Sequence, residues 1–328
     1  MSASLATNHV FGGVALRADF ASPGDTNRII SAENRRTVST PLRLGPWLLE
    51  GLLQEGMLTR VYQARPAERA GAVNLPPQYV VKVLREVWHD HPVALSRIRK
   101  EAIVGRCVAH RHVAPVLSVH VHRSPYYVVL PWLAGTNVAA LLAARGQMVT
   151  LLALWIARQA AQALEALHLA GYVHGDIKPG NLMLASDGHV TLLDLSCAQR
   201  LDDAADLFHL TTKELPLLGT PKYLAPEAFI GNGLDPRADL FSLGLTLYEM
   251  LAGRLPAMPN DLPDLVAFKR GGTMSSLRAF SPQTPLDVAE LVRSLTARDP
   301  LRRPSTAREV VQHLMRLEIA TLRQRVPI

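Results

Sequence analysis

The sequence predicts an α+β fold in two lobes, a small antiparallel-sheet lobe with one main helix followed by a larger, mostly helical lobe. Three observations predict it. From Gly45 to Pro131, short apolar runs are separated by Gly, Pro and charged residues, which is how antiparallel strands read. After Gly135 the apolar spacing lengthens to that of amphipathic helices. The change happens once and without an internal repeat, so a cleft between two unlike lobes is the expected place for a ligand.

The elements follow in order. Residues 1–43 are rich in Ser, Thr, Asn, Gly and Ala without a sustained period and read as a flexible or partly docked extension. Strands are expected over Trp47–Leu53, Val61–Ala64, Tyr79–Leu84, Val116–His122 and Tyr126–Pro131, with a helix at Ala94–Val108 and a three-proline loop at Arg65–Gln78. In the second part, Asn137 caps a helix over Val138–Ala144. Thr150 caps another over Leu151–Ala170, which Gly171 ends. Short strands at Leu182–Leu184 and Val190–Leu193 flank the turn Ser186-Asp187-Gly188. Helices close the chain at Ala238–Leu251 (stopped by Gly253), Leu262–Lys269, Leu286–Thr296 and Thr306–Leu322, leaving a tail at 321–328.

Composition narrows the classes. Hydrophobic residues make up 48% and charged residues 19% of 328, which excludes a wholly disordered chain and allows a large core. The net charge of +7 suits anionic ligands such as nucleotides, but the basic residues are scattered, so no nucleic-acid partner is expected. The most apolar segment, Met148–Leu169, is interrupted by Arg158, Gln159, Gln162, Glu165 and His168, which fit one polar helix face; no membrane span and no signal peptide are expected. Two cysteines give neither a disulfide framework nor metal spacing, which points to a reducing cytoplasm. Cys107 and Cys197 both read as packed small hydrophobes, although Cys197 follows Asp194 closely enough to approach a ligand.

The densest chemistry lies in His174-Gly175-Asp176-Ile177-Lys178-Pro179-Gly180-Asn181, followed by Val190-Thr191-Leu192-Leu193-Asp194-Leu195-Ser196. Phosphoryl transfer needs a carboxylate near the attacking hydroxyl, a cation to offset charge on the moving phosphate, and hard oxygen ligands for Mg²⁺. Asp176 and Lys178 can supply the first two. Asn181 and Asp194 can supply the oxygens if the short strand pair between them brings both to one face.

At these residues the sequence resembles the protein kinase family, over most of Gly45–Leu317. The resemblance implies a kinase-like two-lobed domain over 44–320, with an N-lobe to about 131, a hinge at 131–135 and a C-lobe over 136–320. It makes Asp176 the catalytic aspartate and Asn181 and Asp194 the metal ligands. Lys178, two residues after Asp176, is the serine/threonine form. Tyr79-Val80-Val81-Lys82 resembles the strand motif whose lysine meets the α/β-phosphates, with Glu101 as its partner. Gly56, Val61, Val80 and Met183 would line the nucleotide. Leu130 would guard the back of its pocket, and main-chain groups of Pro131, Trp132 and Leu133 would meet the adenine edge. Gly219-Thr220-Pro221-Lys222-Tyr223-Leu224-Ala225-Pro226-Glu227 resembles the substrate-docking stretch. There Thr220 would bond near Asp176 and Lys178, Glu227 would pair with Arg303, and Asp239 would brace the catalytic-loop backbone. The implied activity is transfer of the γ-phosphoryl group of ATP to Ser/Thr hydroxyls of proteins, autophosphorylation included, with ATP and Mg²⁺ as cofactors and a bacterial setting.

The sequence also departs from the family pattern. Of the three glycines expected in the phosphate-covering loop, Gln54-Glu55-Gly56-Met57-Leu58-Thr59-Arg60-Val61 keeps only Gly56, which predicts a stiffer loop or one set further from the nucleotide. Gly175 replaces the arginine that normally pairs with a phosphorylated activation loop, so activity should depend little on phosphorylation of Thr211, Thr212 or Thr220. Ser196 replaces a glycine after Asp194-Leu195. Gly105, four residues after Glu101, replaces a bulky apolar residue and leaves a gap to loosen that helix or be filled by a neighbour. These departures motivate the alternative of a pseudokinase or ATP-binding regulatory module with weak or no catalysis.

Overall fold

A computed structural model of the chain describes residues 37–69, 78–201, 219–229 and 235–323. The first lobe is a six-stranded antiparallel sheet in the order β1-β2-β3-β4-β6-β5. Its strands are β1 (Thr37–Leu44), β2 (Trp47–Glu55), β3 (Thr59–Pro66), β4 (Tyr79–Leu84), β5 (Ser118–His120) and β6 (Tyr127–Pro131). Helix α1 (Pro92–Cys107) packs on one face. The alternation along the central strands decides the two faces. Val81, Tyr127 and Val129 enter the core on the face away from α1, with Leu49 and Ala64. Leu84 and Val128 join Val93, Ala94, Ile98 and Ala102 of α1 on the other. Lys82 shares the parity of Leu84 and therefore meets α1.

Residues 37–43 were expected within a flexible or partly docked extension, and Thr37–Leu44 forms β1, which pairs antiparallel with β2. The strand is not signalled in the sequence, where no sustained apolar period runs through it. Residues 1–36 and 324–328, and positions 70–77 of the proline loop, lie outside the described residues.

The second lobe is built around α3 (Thr150–Leu169) and α4 (Pro236–Ala252), both buried along most of their length. Around them lie α2 (Val138–Arg145), α5 (Leu262–Gly271), α6 (Leu286–Leu295) and α7 (Ala307–Arg323). Asn137 caps α2 as expected, accepting from Ala140 N–H at 2.7 Å. Gly253 ends α4 in the left-handed conformation at φ 72°. Short strands complete the lobe: β7 (Thr136–Asn137), β8 (Tyr172–Val173), β9 (Leu182–Leu184), β10 (Val190–Leu192) and β11 (Gln199–Arg200). They pair as β10-β9-β7 and β11-β8.

Three local expectations are corrected. Thr150 is the first residue of α3 and not its cap; Val149 holds the cap position, its extended backbone offering the carbonyl that accepts from Ala153 N–H at 3.1 Å. Gln159 is buried, not on a solvated face. Its amide spans the β9–β10 turn, donating to Gly188 O at 2.9 Å and accepting from Val190 N–H at 3.0 Å. Cys107 is exposed, because α1 buries the face of Glu101, Ala102 and Gly105 and the last turn carries Cys107 off it. Cys197 is buried, as expected.

Candidate active site

The turn between β8 and β9 holds the first cluster. Asp239 of α4, itself buried, accepts from the backbone N–H of His174 at 2.8 Å and of Gly175 at 2.9 Å. The two bonds pin the loop to the core of the second lobe, and His168 adds a third contact to the same carboxylate at 2.9 Å. Burial alone would raise the Asp239 carboxyl, but these partners hold it below the ordinary range. Gly175 sits at φ +78°, and a Cβ there would lie 2.8 Å from Cys197 O. The backbone is packed too closely for a side chain to begin in the usual direction.

From this platform Asp176 projects into a closed hydrogen-bond set. Its Oδ1 accepts from Thr220 Oγ1 at 2.7 Å, and its Oδ2 accepts from Lys178 Nζ at 2.7 Å and Asn181 Nδ2 at 3.1 Å. Lys178 also donates to Thr220 Oγ1 at 2.6 Å. Thr220 therefore joins the segment after 218 to the loop at 174–181, although the two are far apart in sequence.

The strands β9 and β10 bring Asp194 beside this cluster. It adopts φ 60°, the one positive-φ residue other than glycine among the described residues. Backbone strain of this kind persists where the surroundings over-determine it. Lys82 Nζ lies 2.7 Å from Asp194 Oδ1 and 2.8 Å from Glu101 Oε2. Burial would pull the Lys82 ammonium down, but Asp194 and then Glu101 more than offset this, and it is held above its ordinary range. Asp194 is likewise driven down by Lys82, which outweighs the opposing effect of its partial burial. Burial pushes Glu101 up to about 7, with Lys82 opposing and Asp194 adding.

A cavity of about 260 Å³ opens between these groups. Its walls include Gly56 and Thr59 of the β2–β3 loop, Lys82, Glu101, Asp176, Lys178, Asp194 and Thr220. Leu130, Pro131, Trp132, Leu133, Val61, Val80 and Met183 are not among its walls. They lie on the ladders beside it. Val61 pairs with Lys82, Val80 with Leu130, and Met183 with Thr191 and Asn137. Trp132 N–H is spent on Gln78 O at 2.8 Å, so of the main-chain groups expected at a ligand edge this one donor is already taken. The antiparallel alternation then turns the Pro131 carbonyl away from β4, and Leu133 follows the ladder's end.

The gap at Gly105 is filled. A Cβ there would lie 2.5 Å from Val116 Cγ2, so Val116 occupies the space of the expected bulky residue. The Glu227–Arg303 pair is present and bidentate, at 2.6 and 2.8 Å, with the Arg303 side chain wholly buried. Thr211 and Thr212 lie outside the described residues. Sequence reasoning missed Arg97, which lines the cavity. Its place four residues before Glu101, on the same helix face, was the available signal. It also missed Arg85 and Trp88, which hydrogen-bond main-chain carbonyls of the cavity-lining segment 56–58.

The protein kinase domain profile matches residues 51–315, the stretch that carries every one of these groups. The chain belongs to the protein kinase domain family. Among curated relatives, the kinase domain is 32% identical over 244 residues to the serine/threonine-protein kinase drp72 of Corynebacterium efficiens, covering 72% of this chain and 45% of the relative. It is 30% identical over 287 residues to serine/threonine-protein kinase PknB of Mycolicibacterium smegmatis (85% and 44%). It is 28% identical over 269 residues to a probable serine/threonine-protein kinase of Clostridium perfringens (80% and 37%). The chain thus spans less than half the length of the curated relatives it matches. Among the described residues, no helix is long and apolar enough to cross a membrane.

Proposed function

We propose that this kinase domain transfers the γ-phosphoryl group of ATP to serine or threonine hydroxyls of protein substrates, itself included. The reading rests on the one hydrogen-bonded set that joins Asp176, Lys178, Asn181 and Thr220, with Lys82 held between Glu101 and Asp194 beside it. Asp176 is positioned by three donors and would orient the acceptor hydroxyl and take its proton. Lys178 and Lys82 would offset charge on the transferred and the α/β phosphates. The relatives' serine/threonine names and the lysine at 178 support the acceptor class.

Mg²⁺ fits the donor set. Both amide hydrogens of Asn181 are directed to Asp176, one to its carbonyl at 2.8 Å and one to its carboxylate, which leaves the side-chain oxygen as a ligand. Asp194 uses Oδ1 for both its contacts, and its side chain is 37% exposed, so Oδ2 is reachable. Bound there with nucleotide oxygens and water, Mg²⁺ would neutralise phosphate charge. The adenine would rest against Val61, Val80, Leu130 and Met183, with the Pro131 carbonyl and Leu133 main chain at its edge.

An exposed free thiol at Cys107 supports a reducing, cytoplasmic setting. The test is incubation with γ-labelled ATP and Mg²⁺, wild type beside Asp176→Asn. Label in the chain or a basic protein substrate that the variant loses supports the reading. Nucleotide binding by the wild type without transfer would overturn it in favour of a binding module.

A further inference from the structure

The loop Gln54–Thr59 lacks two of the glycines that would let it flex over a nucleotide, and the structure shows what holds it instead. Gly56 N–H bonds Thr59 O at 2.9 Å and closes a tight turn, and Arg60 Nε bonds Glu55 Oε1 at 2.8 Å across its base. The carbonyls at the tip are then gathered by one short segment, the connection from β4 into α1. Trp88 Nε1 donates to Met57 O at 2.9 Å. Arg85 Nη1 donates to Met57 O at 3.1 Å and to Gly56 O at 3.4 Å, and its backbone N–H donates to Leu58 O at 2.9 Å.

Three successive carbonyls are therefore bound from one side by two residues. Each planar trans peptide that turns its carbonyl to this segment turns the N–H of the following residue the opposite way. The tip presents its Met57 and Leu58 N–H groups away from Arg85 and Trp88, in a loop whose Gly56, Met57, Leu58 and Thr59 wall the cavity. The segment is itself tied to the helix that carries Glu101. His91, the N-cap of α1, donates its N–H to Trp88 O at 3.1 Å, and its ring meets the Trp88 ring edge-on at 5.5 Å. Leu58 and Trp88 both pack against the α1 face of the sheet core.

We propose that Arg85 and Trp88 are positioning residues that strap the phosphate-covering loop to the start of α1, so that nucleotide grip comes from a preformed hairpin and not from glycine flexibility. The proposal rests on the kinase reading above. A loop ordered before binding has less conformational entropy to lose when a ligand arrives, so affinity is kept without the missing glycines. The strap also makes the loop and the Glu101 helix move as one body.

The test uses Trp88→Phe, which removes the indole donor and keeps an aromatic ring in the core, and Arg85→Met, which removes the guanidinium donors. Binding of a non-hydrolysable ATP analogue with Mg²⁺ is measured by calorimetry, beside KM for ATP, KM for a protein substrate, kcat and amide exchange at 56–59. Each variant is expected to weaken analogue binding and raise KM for ATP by roughly five- to tenfold, the worth of one or two lost hydrogen bonds. KM for the protein substrate should stay unchanged, and the 56–59 amides should exchange faster. Arg85→Lys, which keeps a donor, should recover part of the affinity. Unchanged analogue affinity in both Trp88→Phe and Arg85→Met overturns the proposal, even if exchange accelerates. A wild type that binds no analogue overturns the kinase reading itself, and the strap as a nucleotide device with it.

Discussion

Replacing Gly105 with alanine tests how the helix bearing Glu101 is seated. The added Cβ would stand 2.5 Å from Val116 Cγ2, 3.1 Å from Val116 Cβ and 3.3 Å from Val116 N. Val116 cannot back away freely, because its N–H is bonded to the carbonyl of Gly105 at 2.9 Å. Its branched side chain also has few alternative rotamers. Overpacking of this kind costs about 1–3 kcal/mol, while alanine in a helix interior recovers about 1 kcal/mol over glycine. The net expectation for Gly105→Ala is a loss of about 1 kcal/mol, read as a lower urea midpoint at constant m. Glu101 lies one turn earlier on the same face, so the shift should also stretch its 2.8 Å contact with Lys82 and lower phosphotransfer. Val116→Ala alone opens a small cavity and costs about 2 kcal/mol. Combined with Gly105→Ala, it makes room for the new methyl. The double variant should therefore be more stable than the sum of the singles by about 1–3 kcal/mol, with activity recovered. Additivity within about 0.5 kcal/mol, or a stabilised Gly105→Ala, would refute the packing argument.

Two further outcomes follow from burial. Iodoacetamide should modify exposed Cys107 first, while Cys197, whose thiol is pushed up to about 12 by burial and then by Asp176 and Asp194, should react only after unfolding; mass mapping of the labelled peptides checks this. His112 is buried, bonds Val190 O through Nδ1 at 2.7 Å and stacks on His189 at 4.7 Å. Burial pulls its imidazole down to about 4, with Val190 O opposing and His189, His110 and Arg111 adding. The folded pKa lies below the unfolded value near 6.5, so the unfolded state binds the extra proton between them. Stability should therefore be level above pH 6.5 and fall as pH drops toward 4. In His112→Gln that decline in Tm should be shallower over the same window.

Much of the site was legible because it is local. Asp176, Lys178 and Asn181 lie within one loop, and the turn Ser186-Asp187-Gly188 announces the strand pair that returns the chain to Asp194. The strand and helix periods likewise announced β4, β6, α1 and α4, because each has one face that must be buried. What failed was information held by neighbours distant in sequence. Gln159 reads as a surface residue until the β9–β10 turn supplies partners for its amide. Residues 37–43 read as a flexible or partly docked extension, and only the edge offered by β2 decides that they form a strand.

The sequence alone determined the family and the order of the lobes, and it singled out the residues of the candidate site, because residue types in these patterns point to phosphoryl chemistry. Only the tertiary structure decided whether the departures matter. Val116 fills the space at Gly105, and Arg85 and Trp88 hold a loop short of glycine. Both are contacts across segments, and close packing and hydrogen-bond partners become definite only when the chain has brought those segments together.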